Sequence, residues 1–512
     1  MVLFVMILLI YFGAVCMINF FAPPSYYDSD MYTDIRYAME AWNHKSAFPE
    51  GWGFGNQLYV LSTPVLAALF YGLTGNPTLS MGMASTLMAV LVVLSFLWMM
   101  RPAVQSVEAR LAGAAAFLGL MLFFGDAWHE PGGWQLLFTM CSYYACYAVN
   151  VFLVFGCWLR SRNFGKQRFS LLLAAACVLS FGTGIQSLRQ TAVMTLPLMG
   201  AEFLKILFRK WRKEAFDWRS FAVTGTISAA NLIGLVTARC LNLEQVEIIG
   251  QLSIVQPSDW LSGVRQAVLL ALSLVMNHDA VSFAVLAVLV LVCAAAAVHL
   301  IINTVRKQEY TGMYLLIVLA LSVLAILAVD TLSTMLVRSI YYFMLFPLLA
   351  FLISWLYGTG KKWRKAILTA LILVVFLLSG NRELGSVCTD IQNRESESAF
   401  EISAYLQENG YTTLYAAWNQ GADVAIASDW TLTAGFWEDR EDPFFFYKYL
   451  CNPEVFRADN NSCVYLFCGE QYAKLGVERA KTKNIEMTQI QYFPENDTYL
   501  YTASENIMEA YW

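Results

Sequence analysis

The sequence predicts an all-α polytopic membrane protein of about eleven transmembrane helices, followed by a C-terminal extracytoplasmic α/β or α+β domain. Three observations predict this fold: the composition, the spacing of the apolar runs and the distribution of positive charge. Of the 512 residues, 58% are hydrophobic and 14% are charged, and the mean hydropathy is +0.52. Soluble domains carry about 25% charged residues. The expected environment of the chain is therefore a lipid bilayer.

The apolar runs predict the number of spans, because a transmembrane helix needs about 17–25 apolar residues. Windows of that length or slightly shorter lie at 2–22, 79–100, 111–126, 134–159, 169–187, 191–204, 220–238, 280–303, 312–330, 339–357 and 366–380. The first window lacks the features of a cleaved signal peptide, so we expect it to be retained. A further apolar stretch, 57–75, is interrupted by Pro64 and fits either a span or a juxtamembrane helix.

Positive charge orients the chain. With residues 57–75 left out of the span count, one set of short loops carries 18 Lys and Arg residues and the opposite set carries 6. Cytoplasmic loops are the ones rich in Lys and Arg. Counting 57–75 as a span would place residues 23–56 on the side of the Lys- and Arg-rich loops. Arg36 and Lys45 are the only Lys or Arg residues that favour this placement of 23–56. We therefore interpret 57–75 as a surface helix and place both the first loop, 23–78, and the tail after residue 380 outside.

The tail predicts a separate soluble domain. We divide the chain into a transmembrane domain, 1–380, and an extracytoplasmic domain, 381–512, which is a normal domain size. Alternating polar and apolar residues predict helices at 396–409 and 470–480. They also predict strands at 412–418, within 422–437, and at 463–468, 487–493 and 498–502.

Four cysteines fall in this tail: Cys388, Cys451, Cys463 and Cys468. They allow two disulfides with three connectivities. Reduced thiols are the alternative, and the spacing does not decide between them.

The first outer loop places three carboxylates directly after the first span. Asp28, Asp30 and Asp34 follow the pair Pro23-Pro24, and an apolar stripe through Trp42 predicts an interfacial helix here. Asp28 and Asp30 would lie at the membrane surface, where a carboxylate can act as a base. Turn aspartates and a helix cap are the alternative interpretation, because Asp suits both roles.

The second outer loop groups Asp126, His129 and Glu130 between two strongly apolar spans, with Trp128 and Trp134 beside them. These side chains could bind a sugar or a divalent cation. An aromatic belt with incidental polar residues is the alternative.

Two lone cations, Arg189 and Arg338, lie at the outer ends of spans. Arg pairs with phosphate in bidentate geometry, so either residue suits a lipid-linked phosphate. Interfacial snorkelling is the alternative.

This layout resembles the GT-C class of membrane glycosyltransferases, such as the protein O-mannosyltransferases and the lipid A aminoarabinose transferases. Asp28-Ser29-Asp30 is similar to the family's acidic pair in the first loop, with Asp34 as a rival position. His129-Glu130 is similar to its second acidic site.

The resemblance implies inverting transfer of a sugar from a polyprenyl-phosphate donor to a glycan, lipid or protein acceptor outside the cell. Asp30 would be the base, and Arg189, Arg338 or a divalent metal cation would stabilise the leaving phosphate.

Other functions remain open. An envelope polysaccharide polymerase or ligase would use the outer arginines without requiring the first-loop acids. A transporter or lipid flippase is disfavoured because the helix centres are nearly free of charge. A non-catalytic scaffold would tolerate loss of every first-loop acid. The chain lacks a long basic arm or groove, so we expect no nucleic-acid partner.

Overall fold

Each apolar window of the sequence overlaps a helix in the computed structural model. The structure describes residues 1–124, 137–139, 144–161, 166–244, 253–276, 280–307, 310–334, 337, 339–380, 385–418, 420–438, 443–445 and 447–511. The helices of the first 380 residues are α1 (Val2–Phe21), α2 (Ser29–Asn43), α3 (Thr63–Thr74), α4 (Pro77–Met100), α5 (Val107–Phe123), α6 (Ala145–Ser161), α7 (Lys166–Gln186), α8 (Leu188–Trp211), α9 (Trp218–Cys240), α10 (Trp260–Met276), α11 (Ala280–Lys307), α12 (Thr311–Leu332), α13 (Leu345–Thr359) and α14 (Lys362–Ser379).

Seven of the described helices are long and apolar enough to cross a bilayer. They are α1, α4, α8, α9, α12, most of α11, and α13 with the turn before it. The chain is therefore a multi-pass integral membrane protein, while the count of eleven spans stays a prediction.

Helix α3 lies in the stretch that we interpreted as a surface helix. It has 12 residues, which at 1.5 Å per residue gives a length of about 18 Å. The hydrocarbon core of a bilayer is about 30 Å thick, so α3 is too short to span it. Pro64 starts the helix in its first turn, and Gly75 ends it in the left-handed conformation that glycine favours.

Helix α10 (Trp260–Met276) lies between the predicted spans 220–238 and 280–303, where the sequence predicts no helix. Arg265 and Gln266 interrupt its apolar run, so the segment lacked the uninterrupted apolar window used to find spans. The helix still forms and packs against α12, with Gly263 close to the backbone of Thr331.

A close helix crossing joins α7 and α9. A Cβ on Gly184 would overlap the backbone of Asn231, and a Cβ on Gly234 would overlap the backbone of Phe181. Small residues allow this backbone approach in membranes. Asn231 then reaches across and donates to the Ser180 carbonyl at 3.0 Å.

A charged cluster joins α8 to α9 at the end of α8 that is distant from Arg189. Lys205 contacts Glu202 at 3.5 Å and Asp217 at 2.5 Å, and both Glu202 and Lys205 are buried. Ser220 of α9 donates to Glu202 at 2.7 Å. Asp217 caps α9 and Ser220 lies in its first turn, so the cluster lies where α9 begins.

The C-terminal region forms an α/β domain. Its elements are α15 (Gly385–Gln392), α16 (Ser398–Glu408), β1 (Thr413–Ala417), α17 (Ala422–Ala427), β2 (Thr433–Trp437), β3 (Cys463–Cys468), α18 (Glu470–Lys481), β4 (Met487–Phe493), β5 (Thr498–Ala503) and α19 (Ile507–Ala510). Across the described residues the sheet has the order β2-β1-β3-β5-β4. Strand β1 runs parallel to β2 and β3, whereas β5 runs antiparallel to β3 and β4. Every strand and helix predicted for the tail is confirmed.

The four tail cysteines are free thiols in the structure. Cys463 is buried in the second core of this domain, beside Tyr415 and Tyr465. Of the two alternatives left open by the sequence, the structure has reduced thiols.

Hydrogen bonds join the C-terminal domain to the first loop. Ser25 Oγ donates to Glu397 Oε1 at 2.6 Å, and the Tyr26 hydroxyl donates to Asp390 at 2.6 Å. The first loop is therefore held between the membrane helices and the sheet.

Candidate functional site

Asp28 begins helix α2. Its Oδ1 accepts a hydrogen bond from the Met31 backbone N–H at 2.8 Å, and its backbone is extended as at an N-cap. This satisfies one of the N–H groups that the first turn of a helix leaves unpaired. The capping interpretation of Asp28 is thus confirmed for this oxygen.

Asp34 lies inside the protein, 1% exposed. The Tyr59 hydroxyl donates to its Oδ1 at 2.5 Å. Burial raises the pKa of the Asp34 carboxyl well above its usual range; the Tyr59 hydrogen bond opposes this shift, and the charges of Asp30 and Asp28 add to it. A buried carboxyl that holds its proton is poorly suited to act as a base.

Asp30 lies in the first turn of α2 and is partly exposed. Its charge contributes to raising the pKa of both Tyr59 and Tyr447, although burial of those hydroxyls is the larger cause. Asp30 therefore acts electrostatically on a residue of the first loop and on a residue of the C-terminal domain. Because Asp28 caps the helix and Asp34 is buried, Asp30 stays the predicted base.

An apolar cavity of about 310 Å³ opens beside Arg189. Its walls come from the start of α6, the start of α8 and the end of α12, together with Val337, Tyr341 and Phe343. Among the described residues that line it, Arg189 is the charged one, and its guanidinium lies 4.7 Å from the centre of the Tyr341 ring. The cavity thus combines an apolar interior with a cation at its wall.

The wall that carries Arg189 contains an irregular helical turn. Ser187 caps α8 by accepting from the Arg189 backbone N–H at 3.1 Å, and residues Thr191–Thr195 form a π turn. Such turns are rare in helices and frequent at functional sites. Thr191 donates to Asn231 Oδ1 at 2.7 Å, so the α7–α9 crossing supports this wall.

A series of contacts connects the apolar cavity to the acids of α2. Tyr147 lines the cavity and donates to Gln57, and the next residue, Leu58, donates its N–H to the Gln186 carbonyl at 2.9 Å. Tyr59 then bonds Asp34. The segment 57–59 therefore contacts both Tyr147 of the cavity wall and Asp34 of α2.

Four predicted site residues, Asp126, His129, Glu130 and Arg338, lie outside the described residues. The structure brings Asp28, Asp30 and Asp34 together on α2 and places Arg189 at the apolar cavity. Tyr59 and Gln57 were not predicted. The signal that could have identified them is the presence of polar side chains within the mainly apolar stretch 57–75. Within the described ranges, no group of three His, Cys, Asp or Glu side chains is arranged to hold a metal ion.

Comparisons with known proteins identify the fold. No protein-family model matches the chain, and no curated protein matches it in sequence. Among solved structures, it is similar to ArnT from Cupriavidus metallidurans in the apo state, with a TM-score of 0.52 and 11% identity over 99% of this chain and 98% of that one. The same protein bound to undecaprenyl phosphate gives 0.50 and 13%, over 98% and 97%. ArnT is a lipid A aminoarabinose transferase with the GT-C fold. The predicted GT-C resemblance is confirmed at the level of the fold.

Proposed function

We propose that this protein is a membrane glycosyltransferase that moves a sugar from a polyprenyl-phosphate-linked donor to an acceptor on the extracytoplasmic side. The observation that carries the proposal is the apolar cavity with Arg189 at its wall, which the segment 57–59 links to Asp34 of α2. A polyprenyl-phosphate donor needs both parts of that cavity: an apolar volume for the lipid and a cation for the phosphate.

The fold supports this choice of donor. The similar structure of ArnT was solved with undecaprenyl phosphate bound. In this chain, the Arg189 guanidinium offers several N–H donors to phosphate oxygens. The apolar residues around it exclude water, which strengthens that attraction.

The α2 carboxylates supply the acid–base chemistry. An acceptor hydroxyl gives its proton to Asp30 as its oxygen forms a bond to the anomeric carbon of the donor sugar. The bond from that carbon to the phosphate oxygen breaks, and its electron pair leaves with the phosphate, which Arg189 stabilises. One displacement of this kind inverts the anomeric centre. His129 and Glu130 of the second outer loop are the candidates to hold a divalent cation, which would supply positive charge for a leaving phosphate.

The direction of transfer follows from charge. The Lys- and Arg-rich loops belong in the cytoplasm, which places α2, Arg189 and the C-terminal domain on the opposite side. Donor and acceptor would therefore meet outside.

The test is transfer from a panel of radiolabelled polyprenyl-phosphate sugars by the purified chain in lipid nanodiscs. Wild type is compared with Asp30→Asn and with Asp28→Asn, the matched acid that caps α2, and folding of each is checked by thermal unfolding. Losing a general base lowers the rate by about 10²–10⁴-fold, so Asp30→Asn should be nearly inactive. Asp28→Asn should keep its activity and most of its stability, because the amide oxygen of Asn can still cap α2. Arg189→Gln should weaken donor binding.

Each other outcome identifies an alternative. Full activity in Asp30→Asn together with loss in Arg189→Gln would favour a polymerase or ligase. No transfer by folded wild type from any donor, with or without added Mg²⁺ or Mn²⁺, would refute the proposal. Inhibition by EDTA that Mg²⁺ or Mn²⁺ reverses would support the metal.

A further inference from the structure

A second cavity, of about 170 Å³, lies between α2 and the C-terminal domain. Its floor is one face of α2, where Thr33, Arg36 and Glu40 follow at helical spacing. Its other walls come from β2, the segment 447–455 and Trp52 of the first loop. Unlike the cavity beside Arg189, it is lined by several polar side chains.

The pair on its floor is arranged to accept a bridging hydroxyl. Arg36 Nη2 and Glu40 Oε1 are 3.6 Å apart, which is longer than a direct hydrogen bond of 2.7–3.2 Å. Both side chains are half-buried. A hydroxyl group both donates and accepts, so one hydroxyl can bond the carboxylate and the guanidinium together.

The walls add an indole donor and aromatic faces. Trp52 is 5% exposed, and its Nε1–H has no hydrogen-bond partner in the described part of the chain. Buried donors of this kind are uncommon in native proteins. Trp418 and Tyr447, which also line the cavity, pack with ring centres 4.5 Å apart. Aromatic walls with a few placed polar groups are the usual composition of a small-ligand site.

The volume indicates the size of the ligand. A protein cavity of about 150 Å³ admits one benzene molecule. A cavity of about 170 Å³ is therefore large enough for one six-membered ring.

The position of the cavity separates it from the donor site. The Arg189 cavity is reached from α2 through Asp34, Tyr59 and the segment 57–59, whereas this second cavity lies on the face of α2 that meets the C-terminal domain. Asp30 lies one turn before Thr33, and its charge acts on Tyr447 of the cavity wall. The two cavities thus flank the first turns of α2.

We infer that the cavity between α2 and the C-terminal domain binds a single hydroxylated sugar ring of the acceptor, with Glu40 and Arg36 sharing one of its hydroxyls. Its role as the acceptor site rests on the proposed function, whereas its ability to bind a sugar does not. The C-terminal domain thereby contributes one wall of the acceptor site.

Sugar binding is measured without any donor, by saturation-transfer NMR on the full chain in nanodiscs with methyl α-D-glucopyranoside, N-acetylglucosamine and D-xylopyranose. Glu40→Gln should weaken binding about 5- to 10-fold, because the sugar hydroxyl then bonds a neutral amide oxygen instead of a charged carboxylate. Glu470→Gln is the matched control, since Glu470 pairs with Lys474 at the same helical spacing outside the cavity. It should leave binding unchanged.

A second pair of variants tests the indole. Trp52→Phe keeps an aromatic ring and removes the N–H, so binding should weaken about 3- to 10-fold. Trp355→Phe removes another buried indole N–H that lacks a partner among the described residues and lies in α13, away from the cavity. It should have no effect on binding. No saturation transfer to any of the three sugars, or equal binding by Glu40→Gln and wild type, overturns the inference.

Transfer kinetics distinguish this inference from the proposed function. In an active preparation, Trp52→Phe should raise the acceptor KM and leave the donor KM and kcat unchanged. Sugar binding without any transfer would refute the proposed function and keep the sugar site. Transfer by a protein that binds no free sugar at this cavity would refute the site and keep the function.

Discussion

Removing the Tyr32 hydroxyl should loosen the contact between α2 and the sheet. Tyr32 is 1% exposed, and its oxygen accepts the backbone N–H of Ala434 in β2 at 2.8 Å. Its ring stacks on Trp430 with centres 5.4 Å apart. In Tyr32→Phe the stack remains, but Ala434, which is itself buried, is left with an unpaired N–H.

The magnitude follows from that unpaired donor. A buried N–H left without a partner costs about 1–3 kcal/mol, which corresponds to a change of about 5- to 150-fold in an equilibrium. Amide hydrogen exchange measured by mass spectrometry on a peptide that covers residues 433–437 should speed up by that factor. Tyr405→Phe is the control, because its hydroxyl makes only a 3.4 Å bond within the C-terminal domain. Unchanged exchange in Tyr32→Phe would show that this hydrogen bond does not hold the edge of the sheet to α2.

Three further predictions concern stability and redox state. Burial raises the pKa of Asp34 in the folded state above its unfolded value of about 3.9, so the stability that it contributes is present below that value and is lost as the pH rises through the folded pKa. Asp34→Asn should therefore gain in unfolding temperature relative to wild type as the pH rises from the unfolded pKa of Asp34 towards its folded pKa; a constant difference would contradict the shift. Gly184→Ala should cost about 1–3 kcal/mol through overpacking, whereas Gly225→Ala, which has open space around it, should be neutral; equal thermal unfolding of the two would show that the α7–α9 crossing relaxes. All four cysteines of the C-terminal domain should react with a thiol reagent in denaturant without reductant. If the mass of the labelled protein is lower than expected by two labels, two of the cysteines form a disulfide.

The sequence predicts the helices and strands that depend on residues close together in the chain. The tail's alternation of polar and apolar residues predicts strands, but Thr413–Ala417 is buried at every position and Cys463–Cys468 at all but the last. This burial is typical of central strands that are covered on both faces. The interruption at Pro64 likewise predicts that 57–75 contains a short helix, because proline starts a helix but breaks its interior. Asp28 was predicted both as a catalytic acid and as a cap, and only the structure shows which backbone N–H it meets.

Contacts between distant parts of the chain were not predictable in the same way. The Tyr59–Asp34 hydrogen bond joins residues 25 positions apart. Of the three acids Asp28, Asp30 and Asp34, Asp34 is the buried one. Neither Tyr59 nor Asp34 has a local pattern that indicates the other. Arg189 was predicted from its position at the end of a span, but the cavity beside it depends on α6, α8 and α12 meeting.

The bond between Tyr32 and Ala434 joins residues 402 positions apart, and this separation bears on biogenesis. A ribosome adds about 5–20 residues per second, so about 20–80 seconds pass between synthesis of the two partners. During that interval Tyr32 has no sheet to contact and depends on the membrane interface, where aromatic side chains are favoured. Docking of the last domain onto the first loop is then a late step of maturation, and quality-control proteases would find this surface open in chains that stop before β2.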